Sequence, residues 1–297
     1  MPALRALRRA HPLHHVVLAA PSELRPLVEL AEVCDEVLPT TGLQPLDWPE
    51  PPPTLAVNLH GRGPQSHLLL KSLSPRSLVA FGCTEAEVVG PVWRPDEHEV
   101  RRWCRLLEEG LEISTLAGDL RIRPPEASEG TVPDGVVIHP GAASGSRRWP
   151  PDRYATVARW VSDQGCQVVL TGGSDERELA GTVAARAGLP HASVRAGATD
   201  LAALADHVAR ARLVICGDTG VAHLASAFGV PSVLLFGPTS PERWGPPPTG
   251  PHTVLWHGDG TGDPWGDDVD PALAAIEPEE VIRATERHLV RAHTVAR

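Results

Sequence analysis

The sequence predicts an α/β protein of two doubly wound halves, each a parallel sheet flanked by helices, with the first half lacking its opening strand. Three observations lead there. The chain has 297 residues, enough for two domains that each bury a core. From residue 136 to 256, short apolar runs ended by Gly, Pro or charge alternate with amphipathic stretches, which is the signature of strands and covering helices in a parallel sheet. A stretch rich in Pro, Glu, Ser and Gly at 124–133 separates this regular half from a less regular one. The expected domains are therefore 1–130 and 134–297.

Taken in order, the first half opens on a helix from Pro2, with Arg5, Arg8 and Arg9 along it, where a doubly wound half should open on a strand. Strands follow at 15–19, 36–38, 55–59 and 78–81, and helices at 23–33, 65–72 and 98–108. In the second half a strand at 136–139 leads to a helix at 152–164 with Tyr154, Val157, Ala158 and Val161 on one face. The alternation continues: strand 166–170, helix 175–187, a short strand near 192–195, helix 200–211, strand 213–216, helix 219–228, and strands 232–236 and 253–256. A last helix is read at 278–293.

Composition removes several classes of function. A formal charge of −10 argues against a nucleic-acid partner, whose phosphates need a basic face. An anionic ligand must be met locally, and mostly by arginine, since Lys71 is the only lysine. Five scattered cysteines without a C-x-x-C pair suit free thiols in a reducing compartment. With neither a transmembrane-length apolar run nor a signal-peptide pattern, a cytoplasmic protein is expected.

Four segments carry the chemistry. After the strand ending near Gly217, Asp218 is placed to cap the helix that opens with Thr219 and Gly220, and Thr219 and His223 then share one face. The free amides of such a terminus, at the carboxyl end of a strand, attract diphosphate. Read alone, Asp218 could equally be a cap and His223 a solvated histidine. After His139 comes a Gly/Ser loop ending in Arg147, Arg148 and Trp149; small residues admit a ligand to the backbone, and a guanidinium grips phosphate. Its plainer reading is a surface Arg pair. Asp175 and Glu176 begin a helix and suit its dipole. In the first half, Asn58 to His67 ends a strand and opens a helix, with His60, Arg62 and Gln65 among its polar residues. Asp268 and Asp270 spell a D-x-D metal signature, but they sit in an acidic Gly/Pro loop without a framing strand and read as solvated.

The 214–247 segment resembles glycosyltransferase family 9, the lipopolysaccharide heptosyltransferases and their relatives. It matches a D-T-G-x-x-H-x-x-A-A-x-G-x-P stretch at Asp218, Thr219, Gly220, His223, Leu224, Ala225, Ala227, Gly229 and Pro231. A family loop follows at Phe236, Gly237, Thr239 and Pro241. The 139–150 stretch is similar to the family's [HP]-x-[GT]-x(3,6)-[KR]-x-W-P motif, with Arg147 where many members have lysine. Heavy use of Arg, Ala, Pro and Gly suits a GC-rich, actinobacterial-type member. The resemblance implies the glycosyltransferase B fold, two Rossmann-like domains facing a cleft, with the helix at 278–293 packing back on the first domain. It implies an inverting transfer of a heptose-like sugar from a nucleotide-sugar, ADP-linked by analogy, to a cell-envelope glycan, without metal or other cofactor.

The resemblance also implies roles. Donor binding falls to Arg147, Glu176 (ribose), Thr199 (base), Asp218 (sugar hydroxyls), Thr219, Gly220 and His223, with Arg147 and His223 stabilising the leaving diphosphate. His60, Arg62 and Gln65 lie on the acceptor side, although Asn58 stands where the family has an acid. The family's general-base aspartate belongs to a G-D-x-[LV]-[LM]-x-x-P turn of which Met1 and Pro2 would be the end, so that residue is expected upstream of Met1. The alternative is an inactive nucleotide-sugar-binding protein lacking the base. Peripheral association with a membrane surface fits an envelope acceptor.

Overall fold

The computed structural model describes residues 1–128 and 130–295, with side chains through residue 290. The chain divides into two compact units, Met1–Leu120 and Arg121–Arg297. The first contains helices α1 (Pro2–Ala10), α2 (Arg25–Ala31), α3 (Gln65–Lys71) and α4 (Glu99–Leu111). Its strands β1 (Val17–Ala20) and β2 (Glu36–Pro39) pair in parallel as one two-stranded sheet, and β3 (Leu55–Val57) and β4 (Ser77–Val79) as another. The chain enters on α1, as its sequence predicts, with Pro2 in the first turn, where a missing N–H costs nothing. Ala3, Ala6 and Leu107 bury the contact between α1 and α4, while Phe81, Leu106 and Val79 form an adjoining core. Two buried arginines on α4 hold the strap before it. Arg102 lies 4.2 Å above the Trp93 ring and donates to the carbonyls of Arg94, Pro95 and Glu97; Arg105 pairs with Glu97 at 2.7 Å.

The second unit is one five-stranded parallel sheet in the order β6-β5-β7-β8-β9. These strands are β5 (Val136–His139), β6 (Val168–Leu170), β7 (Leu213–Gly217), β8 (Ser232–Leu235) and β9 (His252–Leu255). Every residue of β5 to β8 is buried, as expected for strands covered on both faces. Helices α5 (Pro151–Asp163), α6 (Arg177–Ala187), α7 (Leu201–Ala209) and α8 (Gly220–Phe228) follow the pattern read from sequence, and short α9 (Pro241–Trp244) and α10 (Pro271–Ala274) add to it. The order reverses between β5 and β7, so the connections from these two strands run on to opposite edges of the sheet and leave the switch point between them, where parallel sheets bind ligands. No helix among the described residues is long and apolar enough to cross a membrane.

Three expectations change. Residues 121–133 group with the second unit, because the buried Asp206 carboxylate accepts from the Ser128 amide and hydroxyl, both at 2.7 Å, and from Thr131 Oγ1 and Arg210 Nε at 2.5 Å. Within the second unit the last helix, α11 (Pro278–Val295), buries Val281, Ala284 and Leu289 in the core and packs on α5 and the sheet. Around 192–195 a 3-10 turn, His191–Ser193, replaces the strand; only Val194 bridges to Leu170. Finally, α8 begins one residue late, with Thr219 as its N-cap and Asp218 outside the helix.

Candidate functional site

The site grows from the register of two neighbouring strands. His139, the last residue of β5, pairs with Cys216, so the loops that follow them leave the sheet side by side. The β5 loop runs to Pro150 and Pro151, which fix the start of α5; the β7 loop is only Asp218 and Thr219. Gly217 lets them meet, since a β-carbon there would sit 3.3 Å from the Arg147 carbonyl oxygen. Arg147 is thereby brought over the second loop. Its Nε donates to Ser144 Oγ at 3.2 Å and its Nη1 approaches the Asp218 carbonyl at 3.4 Å.

Below this guanidinium lies the mouth of α8. The first amides of a helix have no intrahelical acceptor, and Gly220 is exposed with no heavy atom within 4 Å of where a β-carbon would be. Thr219 makes no capping bond, and its Oγ1 is buried without a hydrogen-bond partner. Asp218 is 8% exposed. Burial pushes its carboxyl from the ordinary 3.8 up to about 6, against the downward pull of Arg147. His223 is exposed one turn into α8, its ring 6.2 Å from Trp244. Arg147 thus meets Asp218 at the mouth of α8, which Thr219 and Gly220 open, although 71 residues of chain separate Arg147 from Asp218; His223 stands one turn further along the helix.

Arg148 is employed differently: its Nε donates to the Ala142 carbonyl at 2.8 Å, bracing the loop. Glu176 reaches back from the start of α6 to accept from the Gly173 amide at 2.8 Å, and lies 3.9 Å from His139 Nε2. It also lies across the β5 loop, since a β-carbon on Gly141 would fall 1.9 Å from its Oε1. Burial lowers the His139 pKa, while Glu176 acts to raise it. Thr199 stands on the turn before α7, where Gly197 packs on Ser174 and accepts from Arg177 at 2.8 Å. That turn therefore neighbours the start of α6.

In the first unit, His60 and Arg62 sit exposed on the loop after β3, and Gln65 is exposed at the start of α3. Below them is a buried polar network that sequence reasoning missed. His67 Nε2 donates to the Phe81 carbonyl at 2.7 Å, leaving Nδ1 to accept from Asn58 Nδ2 at 2.9 Å. Asn58 Oδ1 in turn accepts the His60 amide at 2.9 Å. A histidine within a run of leucines was the available signal. A left-handed Gly63, φ +78°, lets the loop pass over the His67 ring.

In the second unit, Asp270 caps α10 by accepting from the Ala272 amide at 2.9 Å. Asp259 and Asp263 close their own turns on Thr261 and Trp265. A cavity of about 510 Å³ opens beside this loop, lined by Pro238, His257, Asp259 and Asp270 among others; none of the sequence-predicted donor or acceptor residues lines it. Among the described residues, no group of three or more His, Cys, Asp or Glu is placed to hold a metal ion.

Comparison with known proteins bears on this geometry. A family model described as glycosyltransferase family 9 (heptosyltransferase) matches residues 89–259. Lipopolysaccharide heptosyltransferase 1 of Pseudomonas aeruginosa is 34% identical over 150 residues, 49% of this chain and 41% of that protein. Lipopolysaccharide heptosyltransferase 2 of Escherichia coli is 34% identical over 35% of this chain and 31% of its own length. The matches thus span less than half of these curated relatives. Among solved structures, a family 9 glycosyltransferase from Veillonella parvula superposes with a TM-score of 0.76 at 22% identity, covering 98% of this chain and 92% of that one. The E. coli ADP-heptose heptosyltransferase II gives 0.76 at 21% identity, over 98% and 94%.

Proposed function

This chain belongs to glycosyltransferase family 9, and on that premise we propose that it transfers a heptose-like sugar from an ADP-linked donor to a cell-envelope glycan, inverting the anomeric carbon and using no metal. The observation that carries this reading is the meeting of Arg147 with the open N-terminus of α8. A nucleoside diphosphate needs positive charge and amides at its bridging and terminal oxygens, and both converge here.

Chemically, an acceptor hydroxyl oxygen bonds to the anomeric carbon as the bond to the diphosphate breaks, the nucleoside diphosphate leaves, and the hydroxyl proton passes to water. Negative charge grows on the departing diphosphate. Arg147, the amides of Thr219 and Gly220, and His223 stabilise that charge in place, each such group contributing about 10²–10³ in rate when preorganised. Asp218 accepts from sugar hydroxyls, Glu176 from the ribose, and Thr199 flanks the base. His60, Arg62 and Gln65 meet the acceptor. The work is done in the cytoplasm, at the membrane surface where the acceptor is anchored.

The test is to incubate the protein with isotopically labelled ADP-heptose, and with UDP- and GDP-sugars, plus an envelope-glycan extract, and follow both nucleotide release and label transfer by mass spectrometry. Transfer from the ADP donor supports the reading. Donor binding without transfer under any condition would make the protein a nucleotide-sugar-binding relative, and no binding of any donor would remove the reading altogether.

A further inference from the structure

Trp265 is 75% exposed, in a loop whose backbone is nonetheless firmly held. On one side Ser144 Oγ donates to the Pro264 carbonyl at 2.7 Å; on the other the Ser146 amide donates to the Gly266 carbonyl at 2.9 Å. The Trp265 amide itself closes on Asp263 Oδ1 at 2.9 Å. Between these anchors Gly145 passes so close to the Asp267 carbonyl that a β-carbon would lie 1.6 Å from its oxygen. The residues holding Trp265 from both sides are thus those that lead directly into Arg147.

The indole meets that arginine, with its centroid 5.6 Å from the guanidinium carbon, within the reach of a cation–π contact. Trp244, the other tryptophan among the exposed large hydrophobics, lies 6.2 Å from the His223 ring. An indole on a held backbone yet left in solvent gains little for the unliganded fold, because its apolar surface stays wet. It does restrict where a long, flexible cation beside it can go.

We propose that Trp265 is a positioning residue that holds the Arg147 guanidinium toward the diphosphate subsite. This rests on the donor-site reading given above. Without the ring, the guanidinium keeps its charge but samples more rotamers, and ordering it then falls on the ligand. The contact acts through Arg147, so its effect must disappear when Arg147 is absent.

The probe is ADP, titrated calorimetrically into the full chain without divalent cations. W265A and W265L should weaken binding about three- to tenfold, and W265F, which keeps an aromatic face, should stay within about twofold of wild type. In an R147A background W265A should cost nothing further. A folded W265A that binds as well as wild type, a W265F as weak as W265A, or an unchanged penalty in the R147A background would each overturn the proposal. A ligand-free arm decides the contact separately. The emission of Trp265, taken as wild type minus W265F, should shift when the R147A substitution is made in both proteins, and an unshifted difference spectrum would refute the pairing. If wild type itself binds no ADP, the donor-site reading falls, and the emission arm still decides whether Trp265 holds Arg147.

Discussion

Asp218→Asn should make the protein more stable at neutral pH while weakening its grip on a nucleotide-sugar. The Asp218 carboxyl is raised to about 6 by burial. A native pKa above the unfolded one means that the native state binds the proton more tightly. The associated stability is therefore fully present below pH 3.8 and is lost as the pH rises through about 6. The interval from 3.8 to about 6, at about 1.36 kcal/mol per pH unit, is worth roughly 3 kcal/mol. The asparagine variant carries no such cost, and the Arg147 contact to the residue 218 carbonyl survives, since it is to the backbone. Urea denaturation followed by circular dichroism at pH 4, 5, 6 and 7.5 is the assay. The variant should gain up to about 3 kcal/mol at pH 7.5, and the gain should shrink to nearly nothing at pH 4. No gain at pH 7.5, or one independent of pH, would refute the claim that a carboxylate is held buried here at the expense of the fold.

Other outcomes follow from neighbouring residues. Arg147→Ala should weaken ADP binding roughly tenfold to a hundredfold in calorimetric titration, the loss of one charge-assisted bond of about 1.5–3 kcal/mol. Arg148→Ala should act instead on loop stability, because its guanidinium is bonded to the Ala142 carbonyl. Asp206→Ala should free the 121–133 stretch and speed its limited proteolysis. Burial acts to raise the Asp206 pKa, but hydrogen bonds from Thr131, Ser128 and Arg210 outweigh it and bring it down to about 2, so its contribution is present above pH 3.8 and fades as the pH falls through 2. EDTA should leave donor binding unchanged, which the same titration checks; strict dependence on magnesium or manganese would contradict the metal-free site.

What could be read in advance divides along physical lines. The second unit was legible because β5 to β8 are continuous apolar runs between glycines and prolines, and a strand buried on both faces leaves that trace in sequence. The junction was misplaced because the Asp206 bonds to Ser128 and Thr131 span more than 70 residues and leave no local pattern. At the site, the motif residues announced themselves by type and spacing, yet the helix start differed by one, since Asp218 and Thr219 are both good caps. Trp265 left no signal, because Pro264 and Gly266 place it through their backbone carbonyls, which sequence does not distinguish.

The central claim is the diphosphate site between Arg147 and the mouth of α8, and a crystal structure of the protein with ADP tests it most directly. The proposal requires diphosphate oxygens within about 3 Å of an Arg147 nitrogen and of the amides of Thr219 or Gly220, with the ribose toward Glu176. ADP ordered elsewhere in the second unit, for instance in the cavity lined by His257 and Asp259, with Arg147 untouched, would contradict it.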